Sequence, residues 1–119
     1  VSREVVPLGE NIMSLDLSLT DDLHGAVYDG NYTHNLIPMA VAAGIYDVMW
    51  RPEEIGISTA GQLIAPLADG LAKLKADPAK YEIHNPENGW GSYAGFVPFV
   101  EAYLAACREY PAASVDADR

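Results

Sequence analysis

Six side chains in two short segments carry the donors, acceptors and rings needed to hold a ligand or grip a partner. His34 and Asn35 close the run Asn31-Tyr32-Thr33-His34-Asn35, and Asn85, Asn88, Trp90 and Tyr93 lie in Asn85-Pro86-Glu87-Asn88-Gly89-Trp90-Gly91-Ser92-Tyr93. Each segment stands just before an apolar helical pattern. A helix entrance exposes free N–H groups and the positive end of the helix dipole, which suits anionic or polar atoms. Trp90 or Tyr93 would stack on a planar ring while Asn85 and Asn88 read its edges; the same groups suit a protein hot spot. Structural roles stand beside these. Asn35 is also a good N-cap with His34 packed locally, and Trp90 would serve as a plug between helices, with Asn88-Gly89 as a turn.

Other chemistries find less support. His24, His34 and His84 are far apart, and neither an H-x-x-x-H nor a C-x-x-C spacing provides a metal site. Cys107, the single cysteine, falls on an apolar helical stripe, where a thiol packs as an inert small hydrophobe. Asp21-Asp22 and Glu53-Glu54 are adjacent carboxylates, not spaced for acid–base work, and neither a G-x-S-x-G elbow nor a phosphate-binding loop occurs. No catalytic residue and no cofactor is expected. Asp69, Glu101 and Glu109 read as solvated helical positions; a nucleic-acid mimic would need its carboxylates aligned at phosphate spacing.

Charge bounds the partners. With 17 acidic and 7 basic residues and a net charge of −10, the chain lacks the clustered cations that direct nucleic-acid binding needs. No apolar run approaches the ~20 residues of a membrane span. The first residues show no basic, then apolar, leader pattern, and one unpaired cysteine suits a reducing cytoplasm. The expectation is an acidic, soluble, cytoplasmic protein whose 119 residues form a single domain.

These segments need elements to position them. Residues 1–11 read as an extended or mobile lead-in. Residues 12–20 alternate, which puts Met13, Leu15, Leu17 and Leu19 on one face of a strand. Gly25 to Tyr28 reads as a second short strand ended by an Asp29-Gly30-Asn31 turn. A first helix follows with Asn35 as N-cap, which places Pro38 early enough to be harmless; Gly44 stops it, and Ile45, Val48, Met49 and Trp50 form a further buried turn. Ala60, Leu63, Ile64, Leu67, Leu71 and Leu74 mark a second helix behind a Thr59–Gln62 capping box, with Pro66 expected to bend or divide it. Asp77-Pro78 ends it. A third helix starts between Ser92 and Gly95, with Pro98 favouring the later start, and carries Phe96, Val97, Val100, Tyr103, Leu104 and Cys107. The tail 112–118 alternates and would add an edge strand beside the first.

The order of Asn31-Tyr32-Thr33-His34-Asn35, Gly44-Ile45-Tyr46, Trp50-Arg51-Pro52 and Asn85-Pro86-Glu87-Asn88-Gly89-Trp90-Gly91 resembles small proteins carried by bacteriophages and by bacteria, actinobacteria among them. The likeness covers about residues 30 to 118. It implies a phage-linked or accessory origin and brings no catalytic residue with it. The expected fold is α+β, about three helices on a small, mainly antiparallel sheet. The expected function is non-enzymatic engagement of a partner protein through His34, Asn35, Asn85, Asn88, Trp90 and Tyr93; the alternative is a small polar ligand or nucleotide bound by the same residues.

Overall fold

The computed structural model describes residues 14–119. The fold is α+β, with helices packed on one face of a three-stranded antiparallel sheet of order β2-β1-β3. The central strand β1 (Ser14–Asp21) pairs with β2 (Gly25–Thr33) on one side and with β3 (Ser114–Asp118) on the other. Leu15, Leu17 and Leu19 are wholly buried, as the period of two requires, while Asp16 and Thr20 on the opposite face meet water. Met13, expected on the same face, lies outside the described residues, as does the lead-in. The tail forms β3, as its alternation implies.

The second strand corrects the sequence reading. It does not turn at Asp29-Gly30-Asn31 but continues to Thr33, with Asp29 opposite Ser18, Gly30 opposite Leu17 and Asn31 opposite Asp16. Cross-strand chemistry outweighs the local turn propensity. Asn31 Nδ2 donates to Asp16 Oδ1 at 2.7 Å and to Ser14 Oγ at 3.1 Å, and the missing side chain of Gly30 leaves room for the Tyr28 ring to fold along the strand. The reversal occurs instead at residues 22–24, closed by Gly25 at φ 75°.

Helix one also begins differently from its expected Asn35 cap. Thr33 Oγ1 accepts the Asn35 N–H at 3.1 Å and caps a turn of 3₁₀ helix, His34–Leu36. The α-helix α1 (Ile37–Ala42) follows, so Pro38 still falls in a first turn that needs no donor from it. Gly44 ends the run at φ 77°, and α2 (Tyr46–Trp50) buries Val48, Met49 and Trp50. A second 3₁₀ turn, Pro52–Ile55, leads away.

The long helices α3 (Gly61–Ala76) and α5 (Tyr93–Glu109) pack on each other, with α4 (Pro78–Glu82) between them in sequence. Pro66 does not divide α3. Leu63, Leu67, Gly70 and Leu74 dock into the core, and a Cβ on Gly70 would run into Ile45. Only half of the expected capping box forms. Gln62 Oε1 accepts from Ser58 N at 2.8 Å and Thr59 N at 3.0 Å, whereas the amides of Ala60 and Gly61 bond to the carbonyls of Ala113 and Pro111. The C-terminal segment thus caps α3 from a distance. In α5, Ser92 is the cap and Tyr93 the first residue, earlier than Pro98 suggested; Ser92 Oγ accepts Gly95 N at 3.1 Å. Pro98 and Ala94, whose carbonyl Pro98 leaves free, are both exposed, so water serves that group. Phe96, Val100, Tyr103, Leu104 and Cys107 are buried, with Val97 at the margin. No helix among the described residues is long and apolar enough to cross a membrane.

Candidate functional site

The loop between α4 and α5 is built by its own amide side chains. Asn88 Oδ1 accepts the backbone N–H of Trp90 at 2.9 Å, and Asn85 Oδ1 accepts that of Tyr93 at 2.7 Å. Gly89 and Gly91 adopt φ 77° and 95°, a region that other residues enter at a cost. Asn85 and Asn88 therefore spend their carbonyl oxygens on the loop, and both residues stand exposed. Tyr93 points inward; its hydroxyl donates to Leu74 O at 2.6 Å, and desolvation followed by the nearby Glu82 holds that phenol above its ordinary value. Trp90 does not plug the helices. Its side chain stands 58% exposed, on a backbone fixed on both sides.

The first segment faces a different neighbour. Trp50 Nε1 donates to His34 Nδ1 at 2.8 Å, so the neutral imidazole carries its proton on Nε2. The rings lie 6.3 Å apart, and Tyr46 stacks on Trp50 at 5.8 Å. Desolvation lowers the His34 pKa, in keeping with a ring whose Nδ1 must stay bare. Arg51 Nε donates to the Tyr46 hydroxyl at 2.9 Å and its guanidinium pairs with Glu54. Arg119 adds bonds to Trp50 O and Glu53, each at 2.7 Å; that bond holds the Glu53 carboxyl below its usual range.

The two segments do meet, through residues other than the six singled out. Gly91 lies so close to Leu36 and Thr33 that a Cβ there would overlap both side chains. Tyr32 OH lies 3.4 Å from Ser92 O, and its ring stacks on Phe99 at 4.8 Å and tilts on Phe96 at 5.9 Å. The joint is thus made by Tyr32, Thr33 and Leu36 against Gly91, Ser92 and Phe99. Asn35 contributes a backbone N–H rather than a cap, and His34 turns to Trp50.

The acidic sheet face was not foreseen either. On the solvent side, Asp16 sits between Asn31 and Asp118, and Ser18 between Asp29 and Asp116. The four carboxylates are exposed and gather on one surface. Their alternation with Leu, Val and Ala is visible in each strand, but only the pairing register brings them together. Among the described residues no group of three or more His, Cys, Asp or Glu could hold a metal ion. Compared with protein-family models, curated proteins and solved structures, the chain matches none of them.

Proposed function

We propose that this chain is a non-enzymatic binding protein of accessory character that engages a partner protein through the loop bearing Trp90. One observation carries the reading: a large indole stands 58% exposed on a loop whose backbone is fixed by Asn85 and Asn88. An apolar ring held outward gains hydrophobic free energy only when something covers it. A pre-ordered loop loses little entropy on being covered, and Trp is the residue type most enriched at hot spots. Ile83, 78% exposed at the end of α4, adds apolar surface on the approach to the same loop. The exposed Asn85 and Asn88 supply amide donors for its rim. Thr33 and Leu36, which flank His34 and Asn35, back the loop through their contacts with Gly91. The single cysteine suits a reducing cytoplasm for this role.

The test is affinity capture followed by binding measurement with the identified protein. Trp90→Ala should weaken that complex by more than about thirtyfold, the effect of a hot-spot loss near 2 kcal/mol. An unchanged affinity would remove Trp90 from the interface. Melting with a metabolite panel separates the other reading. A nucleotide that raises the Tm with the logarithm of its concentration would replace a protein partner by a small ligand.

A further inference from the structure

The outer edge of β2 is a self-complementary strand, and we propose that a second copy of this chain pairs with it to form one continuous six-stranded sheet. β2 is the end strand in the order β2-β1-β3, and among the described residues no other element hydrogen-bonds to the backbone of residues 25–32 on that side. Edge strands are normally blunted by lysine, proline, brevity or a bulge. β2 runs for 9 residues, contains neither lysine nor proline, and has its register irregularity only near Val27. Tyr28 to Thr33 is a regular open edge.

The occupant follows from the sequence of that edge. Tyr28-Asp29-Gly30-Asn31-Tyr32 reads the same in both directions about Gly30, save that one acid is matched by its amide. An antiparallel pairing about a two-fold axis at Gly30 therefore places Tyr28 opposite Tyr32 of the second copy and Asp29 opposite Asn31 of the second copy. The aromatic pairs lie on the helix side, where Tyr28 already packs on Tyr103 at 5.4 Å and Tyr32 on Phe99 at 4.8 Å. Each carboxylate meets a neutral amide. A shift of two residues one way sets Asp29 against itself, which opposes like charges; a shift the other way sets Tyr32 against Gly30 of the second copy and gives up the aromatic pairs. The opposite edge, β3, offers no such match. It has only 5 residues, and its exposed side chains include Asp116 and Asp118. Closed two-fold pairing also ends the sheet at β3 on both sides, so it makes a dimer and not a filament.

Sedimentation and light scattering on the unmodified chain, with hydrogen exchange as the map, test this. The expected mass is twice the 12.8 kDa of one chain, with the dimer tightening as salt screens a net charge of −10 on each copy. Amides of residues 28–32 should exchange more slowly as concentration rises. The double variant Asp29→Lys, Asn31→Lys sets lysine against lysine across the axis, while within one copy the new side chains face Ser18 and Asp16 of an acidic surface. It should keep the wild-type circular dichroism and raise the dimer dissociation constant more than about a hundredfold. A wild-type chain that stays monomeric up to about 1 mM overturns the proposal. So does a dimer that the double variant leaves intact, or one whose protection lies outside β2.

Discussion

At the scale of single residues, one hydrogen bond fixes a protonation state. His34 accepts from Trp50, so its imidazole is neutral in the fold, and desolvation places its pKa below the ordinary 6.5. The unfolded chain then takes up this proton more readily than the folded one. The stability tied to His34 is complete above pH 6.5 and is lost as pH falls below that value toward the folded pKa. Thermal melts between about pH 7.5 and 5.5 should show Tm falling with pH, and His34→Gln, which keeps an acceptor without titrating, should flatten that slope. Thr33, not Asn35, provides the side-chain cap. Thr33→Ala should cost about 1 kcal/mol in urea unfolding and Asn35→Ala much less, the reverse of what the sequence suggests. Cys107 is wholly buried and its thiol is pushed up to about 11, so a thiol reagent should label the native chain only as fast as it opens.

Among elements, the two long helices show what a sequence can and cannot disclose. The stripes of α3 and α5 were legible because Leu63, Leu67, Leu74, Phe96, Val100 and Tyr103 recur at helical spacing and must share a side. Gly44 was legible as a stop for a local reason, its left-handed φ. Pro98 misled about where α5 starts, since its cost depends on whether the orphaned carbonyl reaches water, and that is a fact of tertiary placement. The same holds for Asp29-Gly30-Asn31, a turn by propensity and a strand by pairing. Of the candidate site, the two segments were legible as units; whether they meet, and the contacts that join them, were not, because Gly91 has no side chain to announce them. That joint is testable. Gly91→Ala combines φ 95° with overlap on Thr33 and Leu36. It should destabilise the chain by several times the ~0.5 kcal/mol typical of exposed sites, in urea unfolding, whereas Trp90→Ala should stay within that figure.

For the molecule as a whole, charge is the dominant imbalance. Asp16 and Asp118 are direct cross-strand neighbours, and Asp29 and Asp116 flank Ser18 on the same surface. Like charges placed so oppose folding, so Tm should rise between low and moderate salt, and Asp118→Lys should raise it at low salt while narrowing that salt dependence. An unchanged Tm in both comparisons would mean that the repulsion is already relieved by solvent. The sheet order has another consequence, in time rather than in space. β1 has β2 as an immediate neighbour in the chain, but its other side waits for Ser114–Asp118, about a hundred residues later. At ~5–20 residues per second, a growing chain carries the completed hairpin for roughly 5–20 s before its last strand exists. Throughout that interval Leu15, Leu17 and Leu19 lie on a two-stranded ribbon open on both margins. The same residues that later seal the core are then its greatest hazard, and yield in a cell will depend on how fast the ribosome delivers the final strand.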